Sequence, residues 1–349
     1  MTDVAVLILH PEPAARAGEL ERWVATARAS IAERHRLGFL AAGATDVTVS
    51  AGLPDGVSFG ERLRSFVLSR RPAGLVVLGS GAIPLATAGD RRAFVATAGS
   101  GEGRVALVNN RYSADVLAIA AATSLAELPD LTTDNRLPRW LADTAGYEVT
   151  DLRRRWRLAV DVDGPLDLLL IGDRQWLPVV PAGAVGRVIE RLAKVRAVAR
   201  DPRAELIVTG RTSAAGLAWL ERNIPARTRA LVEERGMKSA AKGQRPARSV
   251  LGALLERDGP AALGGILTEV GEAAFVDTRV LLAHRLGVDE AGWPTAEDRF
   301  ASDLLLHERI ADPWLRDLTR SAAEAPIPVV LGGHTLVGPG LRLAIGRPG

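Results

Sequence analysis

The chain alternates short apolar runs with longer amphipathic stretches. Residues 4–9 form a continuous apolar run closed by His10-Pro11, the pattern of a strand buried on both faces. Helical periodicity follows over 19–40 and ends near Gly43. A second strand is predicted at 46–50, a helix at 59–69, and a third buried strand at 74–78 that runs into Gly79-Ser80-Gly81. The spacing then predicts a helix at 90–98, a strand at 104–108 leading to Asn109-Asn110, and a helix at 137–145. A late strand at 157–161 and a helix opening at 165–171 complete this half. Such alternation predicts an α/β fold, a mostly parallel sheet covered by helices on both faces, with Leu9, Leu78, Val108 and Val160 near one sheet edge.

Composition shifts after residue 172, where Pro178, Pro181, Gly183 and Gly186 mark a linker. The expected organisation is an α/β domain over 1–172, a linker over 173–186 and a second α/β domain over 187–349. In that second domain strands are predicted at 205–208, 228–232 and 274–277, the last feeding a helix through His284. Helices are predicted at 214–222, 249–256 and 261–270. Two apolar runs, 327–331 and 341–345, flank a glycine-rich loop and predict a hairpin. No internal repeat and no low-complexity segment is visible.

Composition narrows the function classes. With 349 residues, 47% hydrophobic and 24% charged, the chain has enough apolar material for real cores, which excludes whole-chain disorder. Cysteine is absent, which removes disulfide scaffolds, thiol nucleophiles and thiolate metal sites. The five histidines include no pair with zinc-hydrolase spacing. The net charge of +3 is small, and the arginines are interleaved with acids. The densest basic cluster, Arg153-Arg154-Arg155 with Arg157, is short and carries one aromatic, Trp156. It reads as a solvated face, and a nucleic-acid partner is not expected. No run approaches the ~20 apolar residues of a membrane span and the start lacks a basic leader, so a soluble, cytoplasmic protein without a membrane partner is expected. A homo-oligomer is compatible with the chain.

Ligands in open parallel sheets bind beyond the carboxyl ends of strands, so the residues after each strand are the candidates. These are His10 and Arg16 after the first strand, Gly79, Ser80 and Gly81 after the third, and Asn109, Asn110 and Arg111 after the fourth. The glycines allow close backbone approach to a phosphate, or serve only a tight turn; the asparagines suit a nucleobase, ribose or sugar, or again a turn. Asp161 and Asp163, two apart on an extended segment, face one side and are candidate ligands for Mg²⁺. Asp163 also stands where it would cap the helix opening at Pro165. In the second domain Arg211, Thr212 and Ser213 lie between a strand and a helix, either as an anion site or as a capped helix start. Glu233, Glu234 and Asp277 end other strands and are expected to meet near Arg211; His334, in the Gly332-Gly333 loop, invites an acid–base role.

Four segments of the first 172 residues carry a family resemblance: 40–49, 75–85, 105–110 and 158–168. They are similar to the nucleotidyltransferase-like fold of sugar-nucleotide pyrophosphorylases and cofactor guanylyltransferases, including the molybdenum-cofactor and 2-phospholactate guanylyltransferase groups. The last is the most specific: Asp161-Val-Asp-Gly-Pro-Leu-Asp-Leu168 resembles the family's Asp-(Ile/Val)-Asp-Thr-Pro-Glu-Asp-Leu. The resemblance implies attack of a substrate phosphate on the α-phosphate of a nucleoside triphosphate, with Mg²⁺ stabilising the charge. The family's Gly-rich basic loop after the first strand reads here His10-Pro-Glu-Pro-Ala-Ala-Arg16. The metal-binding Asp of its Asp-x-Pro-Leu motif is replaced by Ala82. Arg16, Arg111, Arg136 or Arg211 would have to supply the missing positive charge. The expected function is binding of a nucleotide, sugar nucleotide or other phosphorylated small molecule, with feeble or absent nucleotidyl transfer. The rivals are a non-catalytic scaffold and an enzyme whose active site lies in the second domain.

Overall fold

The structure is a computed structural model that describes residues 3–53, 55–101, 103–172, 175–181, 183–235, 237 and 246–346. The chain divides into two compact units. Unit 1 comprises 1–16 and 25–162, and unit 2 comprises 17–24 and 163–349. The division therefore falls ten residues before the expected one, and the segment 17–24 joins the second unit. Of the expected linker, residues 173, 174 and 182 lie outside the described residues.

The elements up to residue 162 are β1 (Val4–Pro11), α1 (Glu19–Ala41), β2 (Asp46–Gly52), α2 (Phe59–Arg70), β3 (Gly74–Gly79), α3 (Ala88–Ala98), β4 (Val105–Val108), β5 (Val116–Ile119), α4 (Leu137–Asp143) and β6 (Glu148–Asp151). Of α1, the turns up to Val24 belong to unit 2. The strands form one sheet in the order β2-β1-β3-β5-β4-β6, parallel except for β5, which runs antiparallel to β3 and β4. Alternation along β1 builds two cores. Val4, Val6 and Ile8 pack on one face with Phe39 and Phe94, while Ala5 and Leu7 pack on the other with Leu63, Leu117 and Leu141. Local chemistry sets the helix starts: Ser58 accepts from the Glu61 amide to open α2, and Thr87 and Asp90 form a reciprocal capping box on α3.

The predicted strand at 157–161 is absent. Trp156–Ala159 is a 3₁₀ turn, and only a single antiparallel bridge joins Asp161 to Ala82. Asn109 and Asp90 account for this: Asn109 Nδ2 donates to the Leu158 carbonyl at 2.8 Å, and Asp90 holds Arg155 at 2.8 Å. The chain is thus pinned by side chains rather than by a ladder. The bridge brings Asp161 to the carboxyl end of β3, the edge at which it was expected.

Unit 2 continues with α5 (Pro165–Ile171), α6 (Gly186–Ala199), β7 (Glu205–Gly210), α7 (Ala214–Asn223), β8 (Arg227–Val232), α8 (Val250–Asp258), α9 (Leu263–Thr268), β9 (Ala273–Asp277), α10 (Thr278–Leu286), α11 (Ala296–Asp303), α12 (Pro313–Glu324), β10 (Val329–Gly332), α13 (His334–Val337) and α14 (Leu341–Ile345). Its four strands are all parallel, in the order β10-β9-β7-β8. β9 is buried along its whole length, as a central parallel strand must be. β8 lies at the edge and carries Arg227 and Arg229, both paired with Glu205, which discourages further strand addition. The predicted C-terminal hairpin does not form: β10 pairs in parallel with β9, and residues 341–345 are helical. No described helix is long and apolar enough to cross a membrane.

Candidate functional site

In unit 1 the connection from β1 to β2 runs to one side of β1, and the next strand, β3, lies on the other. The carboxyl ends of β1 and β3 therefore flank a topological switch point, where loops diverge and leave a crevice. A cavity of about 170 Å³ lies there. Leu9 and Pro11 line it from β1, Gly79 to Ala82 from the β3 exit, and Arg28 from α1. Asp115, Asp134 and Asp161 complete the wall.

The β3 exit is held in an unusual conformation. Ile83 is fully buried with φ +44°, a left-handed backbone that a β-branched residue adopts only under constraint. The constraint comes from α1. His35 Nε2 donates to the Ala82 carbonyl at 2.8 Å and Arg34 Nη1 to the Pro84 carbonyl at 2.9 Å. Arg91 Nη2 donates to His35 Nδ1 at 3.3 Å, so the imidazole is neutral with its proton on Nε2. Burial first, and the neighbouring Arg91 second, lower the His35 pKa to about 3. His10 Nδ1 and Ser80 Oγ lie 3.0 Å apart and tie the two strand ends together. Burial and the Arg28 charge also push the His10 pKa down.

The predicted residues divide sharply. Gly79, Ser80, Gly81 and Asp161 line the cavity, and His10 contacts its wall. Asn109 and Asn110 are turn residues. Asn109 donates to Asp115 and Leu158 and accepts from the amides of Asp115 and Val116, and Asn110 accepts from the Tyr112 amide. Arg16 and Arg136 are exposed and Arg111 is half-buried; none of the three lines the cavity. Arg28, Asp115 and Asp134 were not foreseen. Arg28 was detectable, because it interrupts the buried row Val24, Ile31, Ala32 of α1.

The expected Mg²⁺ site does not fit the residues present. Asp161 Oδ1 already accepts from the Val162 amide at 2.9 Å. Among the described residues no three His, Asp or Glu side chains are grouped to hold a metal ion. Asp163 does not cap α5 either. Asp167 reaches back instead, and its Oδ2 accepts from the amides of Asp163 and Gly164, each at 2.8 Å.

Unit 2 has its own switch point, between β7 and β9. Arg211 leaves β7 and Asp277 ends β9. Arg211 Nε and Nη2 donate to the two carboxylate oxygens of Asp277 at 2.7 and 3.0 Å. Gly210 makes this possible: its φ is +121°, and a Cβ there would stand 2.2 Å from that of Asp277. Burial is the largest single influence on the Asp277 pKa and raises it, but the Arg211 charge and hydrogen bonds, with His334 and Arg279, together outweigh it and hold the carboxyl below its ordinary range. A second buried pair, Arg279 with Asp303, lies alongside. Thr212 is fully buried, and its hydroxyl has no hydrogen-bond partner among the described residues. Ser213 caps α7, accepting from the Gly216 amide at 3.0 Å. Glu233 and Glu234 do not reach Arg211; they accept from residues 248–250 at the start of α8. His334 is exposed at the rim, yet crowding by its neighbours and then the Arg211 charge lower its pKa to about 4.

Asp167 is the opposite case. Burial, then the charges of Asp163 and Asp303, raise its pKa to about 8, so it is protonated at neutral pH. A carboxyl whose folded pKa lies above its unfolded value favours folding at low pH, and that contribution is lost as pH rises from about 4 to 8. Asp167→Asn keeps an oxygen for both amides and an N–H in place of the acid proton. It is expected to stabilise unit 2 at pH 8 by an amount on the order of a few kcal/mol and to change little at pH 4, read from urea midpoints at the two pH values.

No protein-family model matches the chain, and no curated protein matches it. The crystal structure of Rv0371c from Mycobacterium tuberculosis H37Rv aligns with 50% of this chain and 97% of its own, at 17% identity and a TM-score of 0.29. At that distance the likeness carries no functional information, and the α/β architecture of both units stands on their own sheets.

Proposed function

We propose that unit 1 binds a nucleotide or sugar nucleotide, as a relative of the nucleotidyltransferases, and performs little or no nucleotidyl transfer. The observation that carries this reading is the cavity at the β1/β3 switch point, walled by glycine backbone and by aspartates. Carboxylates accept hydrogen bonds from the hydroxyls of ribose or sugar and repel phosphate. The β1 exit offers phosphate little in return. Pro11 and Pro13 have no amide hydrogen, and the Glu12 amide is spent on the Gly52 carbonyl at 2.9 Å. The amides of Ser80 and Ala82 are likewise spent, on Leu9 and Gly79. Arg28 is the one cation among the described residues of the cavity wall. Transfer chemistry needs several preorganised donors on the phosphates, and the loss of one costs ~10²–10³ in rate.

The test is a thermal-shift screen of nucleosides, nucleotides and sugar nucleotides, paired with a pyrophosphate-release assay over the four common triphosphates with phosphorylated sugars and phospholactate as acceptors. Saturating ligand, at ~100 times Kd, is expected to raise the unit 1 Tm by about 5–10 °C. Asp161→Ala is expected to abolish the shift, and pyrophosphate release to match the protein-free blank. Robust release that Asp161→Ala removes would show that the site still performs transfer; absence of any shift would refute the binding.

A further inference from the structure

The Arg211 guanidinium is only half used. Nε and Nη2 are committed to Asp277, while Nη1 donates to none of the described residues. The side chain keeps 11% exposure, so this edge is fixed from behind by a fully buried carboxylate and reaches solvent in front. The unpartnered Thr212 hydroxyl is next in the chain, at the same strand exit. Both follow β7 at the point where the sheet's connections change direction, which in open parallel sheets is where the crevice for a ligand forms. Nothing in unit 1 accounts for these features.

We propose that unit 2 carries a second ligand site at the β7/β9 switch point, which binds the carboxylate of a small molecule on the free edge of Arg211. The class follows from shape and charge. The Nη1/Nη2 edge presents two parallel N–H groups, which match a planar carboxylate in bidentate fashion. Arg211 and Arg279 are each already balanced, by Asp277 and Asp303. Asp163 adds a further negative charge within range of His334. A singly charged group is tolerated there better than a doubly charged phosphate. His334, exposed and near enough to Arg211 for that charge to favour its neutral form, stands at the rim as a contact for the remainder of the ligand.

The experiment is calorimetric titration of the full chain with succinate, citrate and glutamate, and with inorganic phosphate as a separate arm. At least one carboxylate is expected to bind saturably, and phosphate at least tenfold more weakly. Arg211→Lys retains the charge facing Asp277 and loses the planar edge; it is expected to weaken binding tenfold or more. Should that variant not fold, Thr212→Val leaves the ion pair intact, and NMR of the unsubstituted chain reads the same question: the Arg211 and Thr212 amide signals are expected to move on titration while that of Ser80 stays. Saturable binding of none of the three carboxylates, preference for phosphate, equal binding by Arg211→Lys, or shifts that bypass Arg211 would each overturn the proposal.

Discussion

Arg279→Met is expected to destabilise unit 2 by about 3–5 kcal/mol, because it strands a buried carboxylate. Both Nη atoms of Arg279 donate to Asp303, whose side chain is 2% exposed. Burial opposes the guanidinium charge, but Asp303, Asp277 and Asp167 together hold it firmly protonated. The same side chain donates to the Thr278 hydroxyl, which in turn donates to the Gly332 carbonyl, so its loss also loosens the end of β10. Tryptophan fluorescence reads both units, since Trp23, Trp176, Trp219, Trp293 and Trp314 belong to unit 2 and Trp140 and Trp156 to unit 1, so urea unfolding is followed in a Trp140→Phe/Trp156→Phe background that confines the signal to unit 2. The double variant Arg279→Met/Asp303→Leu removes both charges and is expected to recover most of the loss. A single variant within about 0.5 kcal/mol of the parent would show that the pair bears little weight.

Acidification is expected to attack unit 1 through His35. The folded pKa of about 3 lies below the ordinary 6.5, so the unfolded chain takes up the proton first. The stability that the neutral imidazole allows is whole above about pH 6.5 and is lost as pH falls toward 3, by roughly 3 kcal/mol at pH 4. The consequence is local before it is global. Protonation sets a cation against Arg91, and the Ala82 carbonyl, next to the left-handed Ile83, loses its tether. Ligand binding at the β1/β3 cavity is therefore expected to fail at a higher pH than the fold itself. His35→Gln, which cannot titrate, is expected to flatten the acid limb of the stability curve. An unchanged limb would assign the acid sensitivity to other groups.

The central parallel strands were legible because burial on both faces writes a continuous apolar run, as in 74–78 and 274–277, whereas the half-exposed parallel strand β6 at Glu148–Asp151 carries no such run. β5 was not. Val116–Ile119 leads directly into Ala120-Ala121-Ala122, a composition with helical preference, and pairing with β3 and β4 overrides it. Helix α12 carries a local start signal in the sequence, Asp312 as cap and Pro313 in its first turn. Around the cavity, strand-end residues could be foreseen from topology alone, whereas Asp115 and Asp134 come from connections whose course depends on the unforeseen β5. The fate of Asn109 was invisible for a related reason: its four hydrogen bonds are made to groups that only the folded loop gathers.

The division of α1 between the units has a consequence for synthesis. The amides of Leu20 and Glu21, at the start of that helix, are accepted by the carboxylate of Glu297. Glu21 and Glu297 are 276 residues apart. At ~5–20 residues per second, a ribosome needs roughly 14–55 s to cover that distance. During that interval every residue of unit 1 leaves the exit tunnel and can condense, while the first turns of α1, which belong to unit 2, await a cap not yet made. The nascent chain thus passes through a long-lived state in which unit 1 is complete while the carboxylate that caps the start of α1 has not yet been made.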